Sequence, residues 1–382
     1  MTLLGYLGQD STNLILRLDA TREACDVGQW DTAQTLVDEG LKIHPGQREL
    51  LALSGLVHLQ AQRYGEAEQA LSAALAAGLE AFEPRYNLAF ALFAQSRHEE
   101  ALAQLADPRL AAAVSLALLL RARCLQHLQR HDEAIAACSD YLRVAPEAAD
   151  AHGILALLLQ ESGRGAEAQS HIGAALAQDP NQLEAMLALA SIQRDAQDLA
   201  AARSSFGKLL EAYSNCGRGW LGLGLVELAD ERVDVAKKRI ERAAECLPRH
   251  IGTWHVLAWI CLMQADVDGA ERAFVKAMAV NRTFGESHGG LAAVAALRGR
   301  TDEAREGIRR AMRLDPRCMS ARFAELILLQ RAGKGNEARA LFEDFLNQPV
   351  PGRSDLYRDL AIAHMRHMQS RRATGETRPT VH

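Results

Sequence analysis

A chain of 382 residues with 48% hydrophobic but only 5% aromatic side chains can bury a large core. It lacks the Val/Ile/Thr-rich runs of a sheet protein, which predicts an all-helical fold. The formal net charge of -5, with acidic and basic residues interspersed, argues against nucleic acid as a partner, because that binding needs a concentrated basic face.

Residues 1–13 show no basic region leading into a sustained apolar run, so they read as a short N-terminal segment rather than a secretory signal. Nowhere does an uncharged apolar run reach the roughly 20 residues that span a membrane, so no membrane insertion is expected. From residue 14 a pattern recurs. Ala33, Ala67, Ala101, Ala134, Ala168, Ala202, Ala236, Ala270, Ala304 and Ala338 are separated by steps of 34 residues, with one step of 33, a period that belongs to helix-pair repeats. One helical turn after each alanine stands a side chain able to enter a core, from Val37 and Leu71 to Ile308 and Phe342. Gly28, Gly163, Gly299 and Gly333 precede the alanine by five residues, where a tight turn is needed. Pro45, Pro146, Pro180, Pro248 and Pro316 follow it by twelve and end the second helix. Each unit is thus predicted as helix, tight turn, helix, longer turn, and the array as about ten units over residues 14–352. Asp107-Pro108 breaks the second helix of the third unit, so the array is expected to be irregular near 106–115. Beyond the tenth unit, Tyr357, Leu360, Ala361, Met365 and Met368 recur at helical spacing and predict a capping helix over 353–371, followed by a disordered polar tail over 372–382.

The stretches Trp220-Leu-Gly-Leu-Gly224 with Ala236 and Pro248, Trp254 with Leu257-Ala258, and Tyr86-Asn-Leu-Ala89 resemble the tetratricopeptide repeat family, from residue 14 to about residue 352. The resemblance implies a right-handed α-solenoid with a small residue on each first helix, met by Gly55, Ala89, Ala122, Ala156, Ala190, Gly224, Ala258 and Ala292. Thr21 and Leu326 depart from it and mark atypical terminal units.

Chemistry is sparse. Gly217-Arg-Gly-Trp-Leu-Gly222 matches a dinucleotide-binding pattern, but a strand should precede it and the repeat register places a helix there. Ser205-Phe-Gly-Lys208 matches a serine–lysine pair without its companion motifs. His364 and His367 lack a third metal ligand nearby. Seven scattered cysteines, Cys25, Cys124, Cys138, Cys216, Cys246, Cys261 and Cys318, are never spaced C-x-x-C, which suits a reducing cytoplasm. No catalytic residue, cofactor or metal site is assigned.

By the resemblance, the inner faces of the first helices line a concave groove that carries the partner contacts. In register these are Leu56 and Leu59, then Tyr86, Asn87, Phe90 and Phe93, then Leu119, Arg123 and Gln126, then Leu157 and Gln160. The series continues with Leu187 and Arg194, then Leu221, Leu225 and Leu228, then His255, Trp259 and Leu262, and ends at Phe323 and Ile327. So apolar a groove predicts a protein or peptide partner presenting an apolar or amphipathic segment, with the strongest points at Tyr86/Phe90/Phe93 and His255/Trp259. The function expected is a non-catalytic scaffold, and the resemblance points to assembly factors of bacterial secretion, pilus or envelope-polysaccharide machinery. The alternatives are a regulatory subunit of a separate enzyme such as a glycosyltransferase, or a protein that associates with itself as a homo-oligomer.

Overall fold

Alanine stands where paired helices must touch. All ten period-defining alanines are buried, 0% exposed from Ala33 through Ala304 and 4% at Ala338, since a larger side chain there would force the helices apart. The residue one turn later closes the same seam, and Val37, Leu71, Cys138, Phe206, Ile240 and Phe274 are fully buried. In the computed structural model, which describes residues 3–348 and Arg358, this seam recurs through an all-α helical-repeat solenoid. The described residues form 22 α-helices and no strand. None of these helices is long and apolar enough to cross a membrane.

The chain divides into two compact units, Met1–Ser214 and Asn215–His382. The first unit opens with α1 (Leu3–Gln9) and continues with α2 (Leu14–Asp26), α3 (Trp30–Ile43), α4 (Arg48–Gln60), α5 (Tyr64–Ala76), α6 (Phe82–Ala94), α7 (His98–Gln104) and α8 (Pro108–Ala113). It ends with α9 (Leu116–His127), α10 (His131–Val144), α11 (Ala149–Glu161), α12 (Gly165–Gln178), α13 (Leu183–Asp195) and α14 (Leu199–Ala212). The second unit holds α15 (Gly217–Ala229), α16 (Val233–Cys246), α17 (Ile251–Met263), α18 (Val267–Val280), α19 (Gly285–Leu297), α20 (Thr301–Leu314), α21 (Met319–Arg331) and α22 (Gly335–Leu346).

The hairpin turn is the same in all ten repeats. Five residues before the alanine the backbone is left-handed, with φ of 74° at Gly28 and Gly163, 78° at Gly299 and 72° at Gly333. At the other six repeats Gln62, Ser96, Gln129, Gln197, Glu231 and Ala265 hold φ between 57° and 62°, although their Cβ atoms make that region costly.

Residues 3–13 are tied to the first repeat. α1 buries Leu7 against Ala20, Ala24 and Ala33, and Asn13 caps α2 by accepting from the Leu16 amide at 3.1 Å. The buried Arg17 donates to the carbonyls of Ser11 and Leu36 and to Glu39. Thr21, at the small-residue position of the first repeat, is fully buried and returns its hydroxyl to the Arg17 carbonyl.

The expected interruption is present. α7 ends after seven residues, and Asp107 then caps α8 by accepting from the Arg109 amide at 2.9 Å. Leu105 and Leu110 on either side remain buried, so the break keeps its hold on the core. It lies inside the first unit, whereas the division between units falls after Ser214. The capping helix expected over 353–371 lies outside the described residues, apart from Arg358, as does the tail expected over 372–382.

Candidate partner-binding site

In the first unit most of the sequence-predicted groove residues are half-buried. Leu56, Leu59, Tyr86, Asn87, Phe93, Leu119, Arg123, Gln126, Gln160 and Arg194 fall in this class, and Phe90 is exposed at 38%. Leu157 and Leu187 are buried; they pack between helices and offer no contact surface, a departure from the sequence expectation. The polar members are engaged from repeat to repeat. Gln126 donates to Glu161 at 2.9 Å and Gln160 donates to Asp195 at 3.0 Å, the same bond one repeat further on. Arg123, on the first helix of the fourth repeat, pairs at 2.8 Å with Glu184 on that of the sixth. These long side chains tie repeats together, which sequence reading took for ligand contacts.

The Tyr86/Phe90/Phe93 group is likewise divided in role. Tyr86 and Phe93 pack against the core around Leu88 and Leu120, and burial raises the Tyr86 phenol above its ordinary pKa. Phe93 lies 5.4 Å from the ring of His98 and 5.6 Å from that of His127, and the two imidazoles stack at 4.4 Å. Phe90 is left as the outward aromatic of the group.

The second unit holds the clearer site. Trp259 on α17 meets Phe323 on α21 edge-on at 5.3 Å and Phe274 at 6.0 Å. Trp259 and Phe323 belong to repeats two apart. Their contact crosses the ninth repeat, whose α19 reads Gly-Glu-Ser-His-Gly-Gly-Leu-Ala-Ala-Val-Ala-Ala-Leu. A Cβ on Gly289 would come within 2.5 Å of the Ala321 amide nitrogen and one on Gly290 within 2.3 Å of the Phe274 ring. Small residues thus let α21 approach and leave a hollow that large side chains surround. The resulting cavity, about 360 Å³, is lined by Trp259, Met319, Phe323, Leu326, Leu341, Phe342 and Phe345, with Glu286, Ser320 and Arg322 as its polar members.

All three of those polar members already have partners, the Ser320 hydroxyl donating to Glu286. Glu286 accepts from the Met319 and Ser320 amides at 2.7 and 2.9 Å, capping α21 from the preceding repeat. Arg322 donates to Asp344 at 2.8 Å. His255 is also committed, bonding the Ser287 hydroxyl at 2.9 Å and meeting Phe274 and Phe284 edge-on at 5.4 Å. Burial lowers its pKa against the opposing pull of Glu286. Leu221, Leu225, Leu228 and Leu262 are half-buried. Ile327 is buried at 8% and joins the core of the last repeats, again departing from the expectation of a contact surface. Sequence reading missed Met319, Leu326, Leu341, Phe342 and Phe345 as cavity walls. Two of them carried a signal, Phe342 as a core-register side chain with no eleventh alanine after it and Leu326 as a large residue at the small-residue position.

The short motifs resolve as packing. Gly217 opens α15, and a Cβ there would meet Leu247 at 2.4 Å. No strand precedes it, since α14 ends at Ala212. Within Ser205–Lys208, Phe206 is fully buried. All seven cysteines are free thiols, and burial pushes those of Cys124, Cys138 and Cys318 up to about 12. His364 and His367 lie outside the described residues, and among the described residues no group of three or more side chains is placed to hold a metal ion.

Sequence models of the tetratricopeptide repeat match residues 18–81, 53–108, 155–215 and 187–249, and a second such model matches 116–148, together more than half of the chain. No curated protein matches. Among solved structures, a human IFIT1 dimer with m7Gppp-AAAA is similar at a TM-score of 0.56 and 16% identity, over 87% of this chain and 89% of that one. A tetratricopeptide repeat protein from Parabacteroides merdae is similar at a TM-score of 0.51 and 16% identity, over 69% of this chain and 98% of that one. At 16% identity these likenesses are of fold alone.

Proposed function

We propose, from the premise that the chain belongs to the tetratricopeptide repeat family, that it is a non-catalytic protein-interaction scaffold anchored on its partner through the Trp259–Phe323 cavity. The partner contributes an apolar or amphipathic segment laid along the inner face of the first helices of the second unit, and Phe90 offers the first unit a contact of its own. The observation that carries this reading is the cavity itself: four aromatic rings surround about 360 Å³, which is a poor environment for anything but an apolar side chain. A phosphate-rich ligand fits badly, because the one basic side chain in the described lining, Arg322, already pairs with Asp344. Within this reading the resemblance directs the search for a partner to bacterial secretion, pilus or envelope-polysaccharide machinery.

Truncating a central aromatic anchor typically costs on the order of 2 kcal/mol, about thirtyfold in affinity. Trp259→Ala and Phe323→Ala are therefore each expected to weaken capture of the native partner by that factor while circular dichroism stays unchanged. Melting curves separate the two roles of Trp259, since loss of binding at retained stability supports an anchor and loss of stability supports core packing. Normal capture by both variants, with binding abolished instead by charge reversals on α16 and α18, would remove the groove from consideration.

A further inference from the structure

Two long turns of the second unit carry a charge that the repeat does not require. In each repeat, the segment from four to fourteen residues after the period-defining alanine takes in the end of the second helix and the turn beyond it. Segments 37–47, 71–81, 138–148, 172–182 and 206–216 together hold three Lys/Arg against seven Asp/Glu. Segments 274–284 and 308–318, in the eighth and ninth repeats, hold six Lys/Arg against one acid, Asp315. The six are Lys276, Arg282, Arg309, Arg310, Arg313 and Arg317, and all are exposed. Arg309 pairs with Glu306, and Arg313 stands in the last turn of α20, where a cation complements the helix dipole. The other four make no ion pair among the described residues.

These side chains gather on one edge. The start of α19 meets the end of α20, for a Cβ on Gly285 would stand 3.1 Å from the Ala311 carbonyl oxygen and 3.2 Å from the Asp315 Cβ. Glu286, one residue later, accepts from the Met319 and Ser320 amides that open α21. Turns 281–284 and 315–318 therefore lie side by side, and their like charges repel. Val280, Phe284 and Leu314 stand among them, exposed at 36%, 38% and 42%.

Packing within the repeat uses neither the cations nor the open apolar side chains, so the edge suits a ligand that takes both. An acidic peptide would answer the charges and leave Val280 and Leu314 in water. Single-stranded nucleic acid wants open rings on which bases stack, and Phe284 is already met edge-on by His255 at 5.4 Å. An anionic bilayer accepts both kinds at once, because its phosphates face the cations and its acyl boundary takes apolar side chains.

We propose that this edge docks the protein on an anionic phospholipid surface, with Arg282, Arg310 and Arg317 at the headgroups and Val280 and Leu314 at the acyl boundary. Docking is peripheral, since no described helix is long and apolar enough to cross a membrane. It is independent of the groove reading above, because none of these residues lines the Trp259–Phe323 cavity. Each cation beside an anionic leaflet strengthens partitioning roughly fivefold, and salt screens the attraction.

The test is sedimentation of the full chain with vesicles of phosphatidylcholine, either pure or containing about 30% phosphatidylglycerol. Binding to the anionic vesicles is expected to be at least about tenfold stronger than to the neutral ones, and to be lost near 1 M salt, where the screening length falls to about 3 Å. Arg282→Glu with Arg317→Glu should weaken it at least about twentyfold at an unchanged melting curve. Arg22→Glu with Arg143→Glu, the same change of net charge in the first unit, should leave it within about twofold. Should the glutamates shift the melting curve, Arg282→Gln with Arg317→Gln serves in their place, with an expected loss of about tenfold or more. Equal binding to both kinds of vesicle, no binding to either, or full binding by the Arg282/Arg317 variants overturns the proposal. So does a single-stranded oligonucleotide that binds the parent more tightly than the vesicles and is lost with the same arginines, which assigns the edge to nucleic acid. A mass that doubles at low salt only while those arginines are present also overturns it and assigns the edge to a second copy.

Discussion

Six of the ten hairpin turns ask a residue with a Cβ to hold a backbone that glycine holds freely. Ala265 is the clearest case, at φ 58° with no polar side chain to offset the strain. Ala265→Gly is expected to raise stability by about 0.5–1 kcal/mol, read as an upward shift of the urea midpoint, while Gly163→Ala should lower it by about 1 kcal/mol. The four glycine turns were legible in the sequence because glycine there has one obvious use. Gln62, Ser96, Gln129, Gln197 and Glu231 gave no such sign: their conformation is imposed by the hairpin's helix pairing, and an exposed polar residue reads alike in any loop. Histidines carry a second consequence at this scale. Burial is the first cause lowering the pKa of His58, His98, His171, His250 and His255, so the fold favours their neutral forms. Their contribution is complete above the unfolded value of about 6.5 and is lost as pH falls through the lowered folded values. The melting midpoint is accordingly expected to be lower at pH 5.5 than at pH 7.5, and an unchanged midpoint would mean these groups titrate alike in both states.

Helix α19 shows how one element can set the geometry of its neighbours. Its glycines admit the backbone of α21 and the ring of Phe274 to distances that a methyl group would block. Gly289→Ala is expected to destabilise by about 1–3 kcal/mol, as overpacking does, and to open the Trp259–Phe323 contact, which tryptophan fluorescence would follow. The break between α7 and α8 acts in the opposite sense. With a seven-residue helix, a cap at Asp107 and a second short helix, amides 106–113 lack the continuous ladder that α16 has over its 14 residues. Hydrogen exchange should find them less protected than residues 239–246, and equal protection would count against a weak point there. The break itself was readable from proline chemistry. The Gln126–Glu161 and Gln160–Asp195 bonds were not, because a glutamine on an inner helix face looks the same whether it serves a ligand or the next repeat.

Across the whole molecule, the repeat period carried most of the architecture, because a fixed spacing of buried alanines leaves little choice of fold. The division after Ser214 was not visible, as the period runs through it without a change of step. Charge was hidden in a similar way: residues 1–214 carry 16 Lys/Arg against 27 Asp/Glu, and residues 215–382 carry 27 against 21, so the modest total conceals two units of opposite sign. The aromatic bridge from Trp259 to Phe323 has its own bearing on collective behaviour. An array whose members feel only their neighbours melts like a zip, losing one member at a time from an end. A contact that skips a member makes that stepwise loss costlier, by roughly the 0.5–1.5 kcal/mol of an aromatic pair, since the ninth repeat cannot loosen without also parting the rings on either side of it. The eighth, ninth and tenth repeats are thereby coupled more tightly than neighbours alone would be, and whatever grips that pair of rings strengthens the hold on all three.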